Sequence, residues 1–148
     1  MVLDDEIKEK IFLLPDPPEI IDDMEFVIDD LSNNFQWIGS KIDWTNTNNH
    51  KMLELRGNYS NWVDEINCFI RKNNIDEYIL RSSDIFYIND SSLDFSVKLN
   101  CRQFYPFLEM AIKNIPQHHY FFDKINGWCF VISSEGYADF GFSLNINN

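Results

Sequence analysis

The sequence predicts an α+β domain: helices packed against one mostly antiparallel sheet, ending in a C-terminal β-meander. Three observations carry this. Segments with apolar residues at three- and four-residue steps alternate with short strand-like runs. The strand-like runs are joined mostly by turn signals too short for parallel crossovers. Across all 148 residues no linker is long enough to divide the chain, so 1–148 reads as a single domain, with 1–31 an acidic helical segment docked on it.

Along the chain, Asp4 followed by Ile7, Ile11 and Leu14 predicts a short first helix, stopped by Pro15. Ile20, Ile21, Met24, Val27, Ile28 and Leu31 then give one apolar stripe at helical spacing. With Asp16 as N-cap and Pro17 or Pro18 in the first turn, the expectation is a helix over 18–31. Residues 32–50 read as a loop with apolar islands at Phe35–Ile38 and Ile42–Trp44. Met52–Arg56 is a strand candidate ended by Gly57. Ser60 caps a helix to about Lys72, burying Trp62 or Val63, Ile66, Phe69 and Ile70, and Asn73-Asn74 ends it.

Tyr78–Leu80, Ile85–Ile88 and Leu93–Leu99 read as strands, the last two joined by the turn Asn89-Asp90-Ser91-Ser92. A helix near 104–115 carries Pro106 in its first turn and buries Phe104, Phe107, Leu108, Ala111, Ile112 and Ile115 before Pro116. The meander follows: His119–Phe122, the hairpin signal Asn126-Gly127, Trp128–Ser133, then Tyr137–Phe142 after Glu135-Gly136.

Composition excludes some functions. An apolar fraction of 45% with 16% aromatic argues against disorder despite a net charge of −12. Twenty-four acids against twelve bases, with no basic stripe, disfavour a nucleic-acid partner. The first ten residues lack a leader's basic and apolar regions, and no apolar run approaches the ~18 residues of a membrane span. The expectation is a cytoplasmic protein with no membrane contact. Cys68, Cys101 and Cys129 are odd in number and widely spaced, which predicts small buried thiols rather than a disulfide framework or zinc site.

The search for catalysis is negative at the level of motifs. His118 and His119, as strand neighbours, point to opposite faces, and no HExxH, phosphate-cradling loop or GxSxG is present. Glu135 and Asp139 read as carboxylates solvating a hairpin end, and Asp84, Asp90 and Asp94 as turn residues without calcium-loop spacing. No cofactor, metal or catalytic residue is expected.

Charge is the informative feature. Residues 1–30 hold eleven acids and two bases, a net −9, whereas the other 118 residues carry thirteen acids and ten bases, a net −3. The bland interpretation is a solvated helix face, its i, i+4 repulsions a small cost. The functional one is a docking face for a basic partner: Glu19, Asp22, Asp23, Glu25, Asp29 and Asp30 steer the encounter, while Trp37 and Trp44 supply burial. For each tryptophan the competing reading is a ring tucked into the core beneath a long loop.

The segments Tyr120-Phe121-Phe122 and Gly127-Trp128-Cys129-Phe130-Val131-Ile132-Ser133-Ser134-Glu135-Gly136-Tyr137-Ala138-Asp139-Phe140-Gly141-Phe142 resemble the closing hairpin of immunity proteins from bacterial polymorphic-toxin systems, such as contact-dependent growth inhibition. The small, acidic, aromatic-rich chain resembles them in type as well. The resemblance implies an immunity protein that neutralises a cognate toxin domain, commonly a nuclease, whose basic cleft carboxylates would occupy. Two alternatives stand beside it. One is a non-catalytic regulatory or adaptor domain for another basic partner, a DNA-mimicking protein included. The other is a small enzyme with an unrecognised site.

Overall fold

The runs Ile85–Asn89, His119–Asp123 and Trp128–Ser133 are buried at nearly every position rather than every second one, the pattern of strands covered on both faces. A computed structural model, describing residues 3–89 and 93–144, places them at the centre of a seven-stranded antiparallel sheet. The strands are β1 (Glu19–Ile21), β2 (Trp37–Ile38), β3 (Lys41–Ile42), β4 (Thr47–Glu54), β5 (Ile85–Asn89), β6 (Ser96–Leu99), β7 (His119–Asp123), β8 (Trp128–Ser133) and β9 (Tyr137–Ser143). Strands β2 and β3 form a separate hairpin, and the other seven lie in the order β1-β6-β5-β7-β8-β9-β4. The helices are α1 (Leu3–Phe12), α2 (Glu25–Asn34), α3 (Trp62–Lys72), α4 (Ile75–Arg81) and α5 (Cys101–Asn114). The expected α+β architecture and the meander β7-β8-β9 are both present.

Strand alternation sorts the core into two clusters. Tyr87, Phe121, Trp128, Phe130 and Ile132 face α1, α3, α4 and α5. Phe86, Ile88, Tyr120, Phe122, Cys129 and Val131 face the other way, against Val27 and Leu31 of α2 and the β2–β3 hairpin. The sheet is therefore the middle of three layers, so its central strands need no polar side. His119 and His118 do diverge as expected: His119 is buried against Tyr87, whereas His118 is half-exposed and accepts the Ser134 N–H.

Several expectations are corrected. There is no helix over 18–31: Glu19–Ile21 pairs with β6 as an edge strand, and α2 begins only at Glu25. Ile20 and Ile21 pack into opposite clusters, as a strand requires. The helix start is marked by Asp23, which accepts the Glu25 N–H at 3.3 Å, and not by Asp16. Residues 32–50 hold the end of α2, the β2–β3 hairpin, a 3-10 turn at Trp44–Asn46 and the start of β4.

Tyr78–Leu80 belongs to α4, which buries Ile75 and Ile79 and follows α3 through Asn74 in the left-handed conformation. Ser60 sits in a short 3-10 turn before α3 and donates to Asn58. Helix α5 starts three residues earlier than expected, at a capping box between Asn100 and Gln103, so Pro106 lies inside it. Of the three thiols only Cys129 is buried, and burial pushes it well up; Cys101 is half-buried and Cys68 exposed. The expected turn Asn89-Asp90-Ser91-Ser92 lies, but for Asn89, outside the described residues.

Candidate functional site

The acidic first quarter of the chain folds around one edge of the sheet. Strand β1 is that edge, α1 packs into the cluster on one face, and α2 packs into the cluster on the other. Helix α1 is tied down where β6 begins: Asp4 accepts the Asp94 N–H at 3.2 Å, and Lys8 lies 5.1 Å above the Phe95 ring. The carboxylates thus sit on a folded surface rather than a solvated tail.

The expected site residues divide by their local pairing. Glu19 on β1 pairs with Lys98 at 3.6 Å, Asp22 with Lys8 at 3.2 Å, and Asp30 with Lys124 at 3.1 Å. Asp23 is spent on the start of α2. Glu25 and Asp29 are exposed and in no ion pair among the described residues; Asp5, Glu6, Glu9 and Asp16 share that condition. The three lysines offset three carboxylates, and the six unpaired acids leave the edge strongly negative.

The apolar complement differs from the one expected. Because α2 starts at Glu25, Phe26 is 46% and Ile28 37% exposed, and they flank Glu25 and Asp29 on the helix surface. Ile28 is therefore not part of the buried stripe. The apolar count of the segment signalled it, but only the true start of the helix fixes which residues face out.

Trp37 and Trp44 are both half-buried on the α2 side of the sheet. Trp37 tilts against Tyr120, ring centroids 6.1 Å apart, and its indole N–H is buried without an acceptor among the described residues. Trp44 lies beyond the hairpin, over β9. Asp43 holds its turn through Thr45 and Asn46, and Thr47 Oγ1 donates to the Trp44 carbonyl at 2.6 Å. Those bonds hold the Asp43 carboxyl below the usual range, the Thr45 hydroxyl foremost.

Trp44 sits on bare backbone. A Cβ at Gly141 would lie 3.1 Å from Trp44 Cζ3 and from Thr47 Oγ1. Gly141→Ala is expected to cost about 1–3 kcal/mol through overpacking, read as a lower urea midpoint at unchanged slope. An unchanged midpoint would show that Trp44 is free to lift away.

On its other side Trp44 stacks with His50, centroids 5.0 Å apart and planes 9° from parallel, and His50 Nε2 donates to Asp139 Oδ1 at 2.7 Å. The Asp139 side chain is 13% exposed, and burial raises its pKa even though His50 opposes the shift. It is thus not the solvated turn carboxylate expected. The left-handed Asn49 and the register shift between Asn48 and Lys51 create this meeting by turning β4 at His50. Lys41 of β3 pairs with Glu135 at 2.5 Å across the same groove, lowering the Glu135 pKa chiefly through that bond. The groove encloses about 130 Å³.

No group of three or more histidine, cysteine or acidic side chains is arranged to hold a metal among the described residues. Nor is any helix among them long and apolar enough to cross a membrane. No family model matches the chain, and no curated protein matches its sequence.

Proposed function

We propose that this protein is an immunity-type inhibitor, binding a cognate toxin domain with a basic surface, such as a nuclease, through the acidic β1 edge and α2. The observation that carries this reading is the concentration of carboxylates on a preorganised edge, with Phe26 and Ile28 exposed on either side of Glu25 and Asp29. Carboxylates there steer a cationic partner and hold register, and exposed apolar side chains supply the burial that fixes a complex. On this reading it acts in the cytoplasm, as the resemblance of its C-terminal hairpin implies.

An adaptor for a different basic partner would use the same edge but would not silence a toxin at equimolar ratio. The His50–Asp139 pair is the feature favouring an enzyme. Its groove of about 130 Å³ falls below the roughly 300–1,000 Å³ of small-molecule sites, and accommodates a side chain rather than a whole substrate.

The test is affinity capture of the partner at 0.15 M salt, then kinetics with a Glu25→Lys/Asp29→Lys variant. Association is expected to slow by about 10–100-fold and lose much of its salt dependence. Unchanged association and inhibition would reject this edge as the interface.

A further inference from the structure

We infer that the groove between the β2–β3 hairpin and β9 is a socket for a guanidinium, the arginine side chain of a basic protein. Asp139 stands in its wall as a largely buried carboxylate. One oxygen is held by His50, and the other accepts no hydrogen bond among the described residues. Tyr120 and Tyr137 supply aromatic surface around it, while Trp44, covered by Gly141 and His50, closes the wall. A carboxylate beside π-faces in a half-desolvated recess recognises a planar cation, which can stack and donate in one pose. The size agrees, because about 130 Å³ holds one side-chain head group and little more.

The parts are fixed in advance. Trp44 is pinned between the Gly141 backbone and His50, and Asp139 is oriented by the same histidine. Little ordering is left for the ligand to impose. The groove's own lysine does not fill the role. Lys41 is turned to Glu135, which leaves Asp139 with His50 as its one partner among the described residues. His118 also lines the groove, its Nδ1 taken by the Ser134 N–H.

For its biological occupant the socket rests on the proposed basic partner, but its chemistry is tested without that partner. The full chain, labelled with ¹⁵N, is titrated with methylguanidinium while the Trp44 indole and Gly141 amide signals are followed by NMR. Saturable shifts at both are expected. Asp139→Asn, isosteric and checked for an unchanged overall spectrum, should weaken binding about tenfold, the equivalent of one charge-assisted contact. Lys41→Met should tighten it by removing a like charge.

Shifts that survive Asp139→Asn, or no shifts at all, would overturn the socket. So would binding of inorganic phosphate that Lys41→Met abolishes, because the groove would then be an anion site. None of these outcomes touches the acidic-edge reading, which the Glu25→Lys/Asp29→Lys kinetics decide separately.

Discussion

Asp123→Ala is expected to lower stability by about 3–4 kcal/mol. Asp123 ends β7, is 2% exposed and accepts four hydrogen bonds. The Ile125 and Asn126 N–H groups reach Oδ1 at 2.9 and 3.0 Å, while Ser82 Oγ and Asn126 Nδ2 reach Oδ2 at 2.5 and 2.7 Å. Ser82 in turn accepts the indole N–H of the fully buried Trp128 at 3.1 Å. One carboxylate therefore shapes the β7–β8 turn and anchors Ser82, whose oxygen accepts from the core tryptophan.

Removing it takes the acceptor from the buried Ser82 hydroxyl and unties the Ile125 and Asn126 amides that shape the turn, and an orphaned buried donor costs more than a made bond contributes. Asp123→Asn should cost only about 1–2 kcal/mol, because its oxygen still accepts from the turn amides. Urea denaturation of both variants decides this. A loss under about 1 kcal/mol for the alanine would mean that the turn re-forms without the carboxylate.

The parts of this fold legible in the sequence are those where one pattern has one solution. The α3 stripe Trp62, Val63, Ile66, Phe69 and Ile70 is buried as its spacing requires, and Asn126-Gly127 closes β7 onto β8 with Gly127 at φ 82°. Residues 18–31 failed because Ile20 and Ile21 satisfy a helical stripe and a strand equally well. The deciding factor, pairing with Val97 and Ser96, lies far along the chain. Tyr78–Leu80 failed for the converse reason: three apolar-rich residues carry no period, and Ile75 with Ile79 sets the helix only once its start at Asn74 is known.

The site divides the same way. The charge excess near the N-terminus is a property of composition, and it was visible. The His50–Asp139 pair spans 89 residues and depends on a bulge at Asn49, so no spacing announces it. One signal was there to use: a lone glycine inside a strand marks close approach by another group, and Gly141 has Trp44 against it.

Acid is expected to destabilise this protein through His119 before most carboxylates protonate. Its side chain is buried beside Tyr87, whose hydroxyl shares a hydrogen bond with Nδ1 at 2.7 Å. Burial lowers its pKa from 6.5 to about 4, with His118 adding to the shift, and burial likewise pushes the Tyr87 phenol up. In the unfolded chain the imidazole titrates near 6.5. Above that pH neither state holds the proton, and the buried pair contributes in full.

Between 6.5 and about 4 the unfolded state binds a proton that the native state refuses, so stability falls as pH falls. The slope approaches about 1.4 kcal/mol per pH unit, and the total loss is about 3 kcal/mol, levelling off below the native pKa. His119→Asn supplies an oxygen for the Tyr87 hydroxyl without a titrating group. The difference between the two stability curves, measured by urea denaturation from pH 7 to 4, isolates the histidine from acidic groups that titrate lower. A difference curve flat across that window would mean that the native state takes up the proton as readily as the unfolded chain, and that the Tyr87–His119 contact opens to admit it.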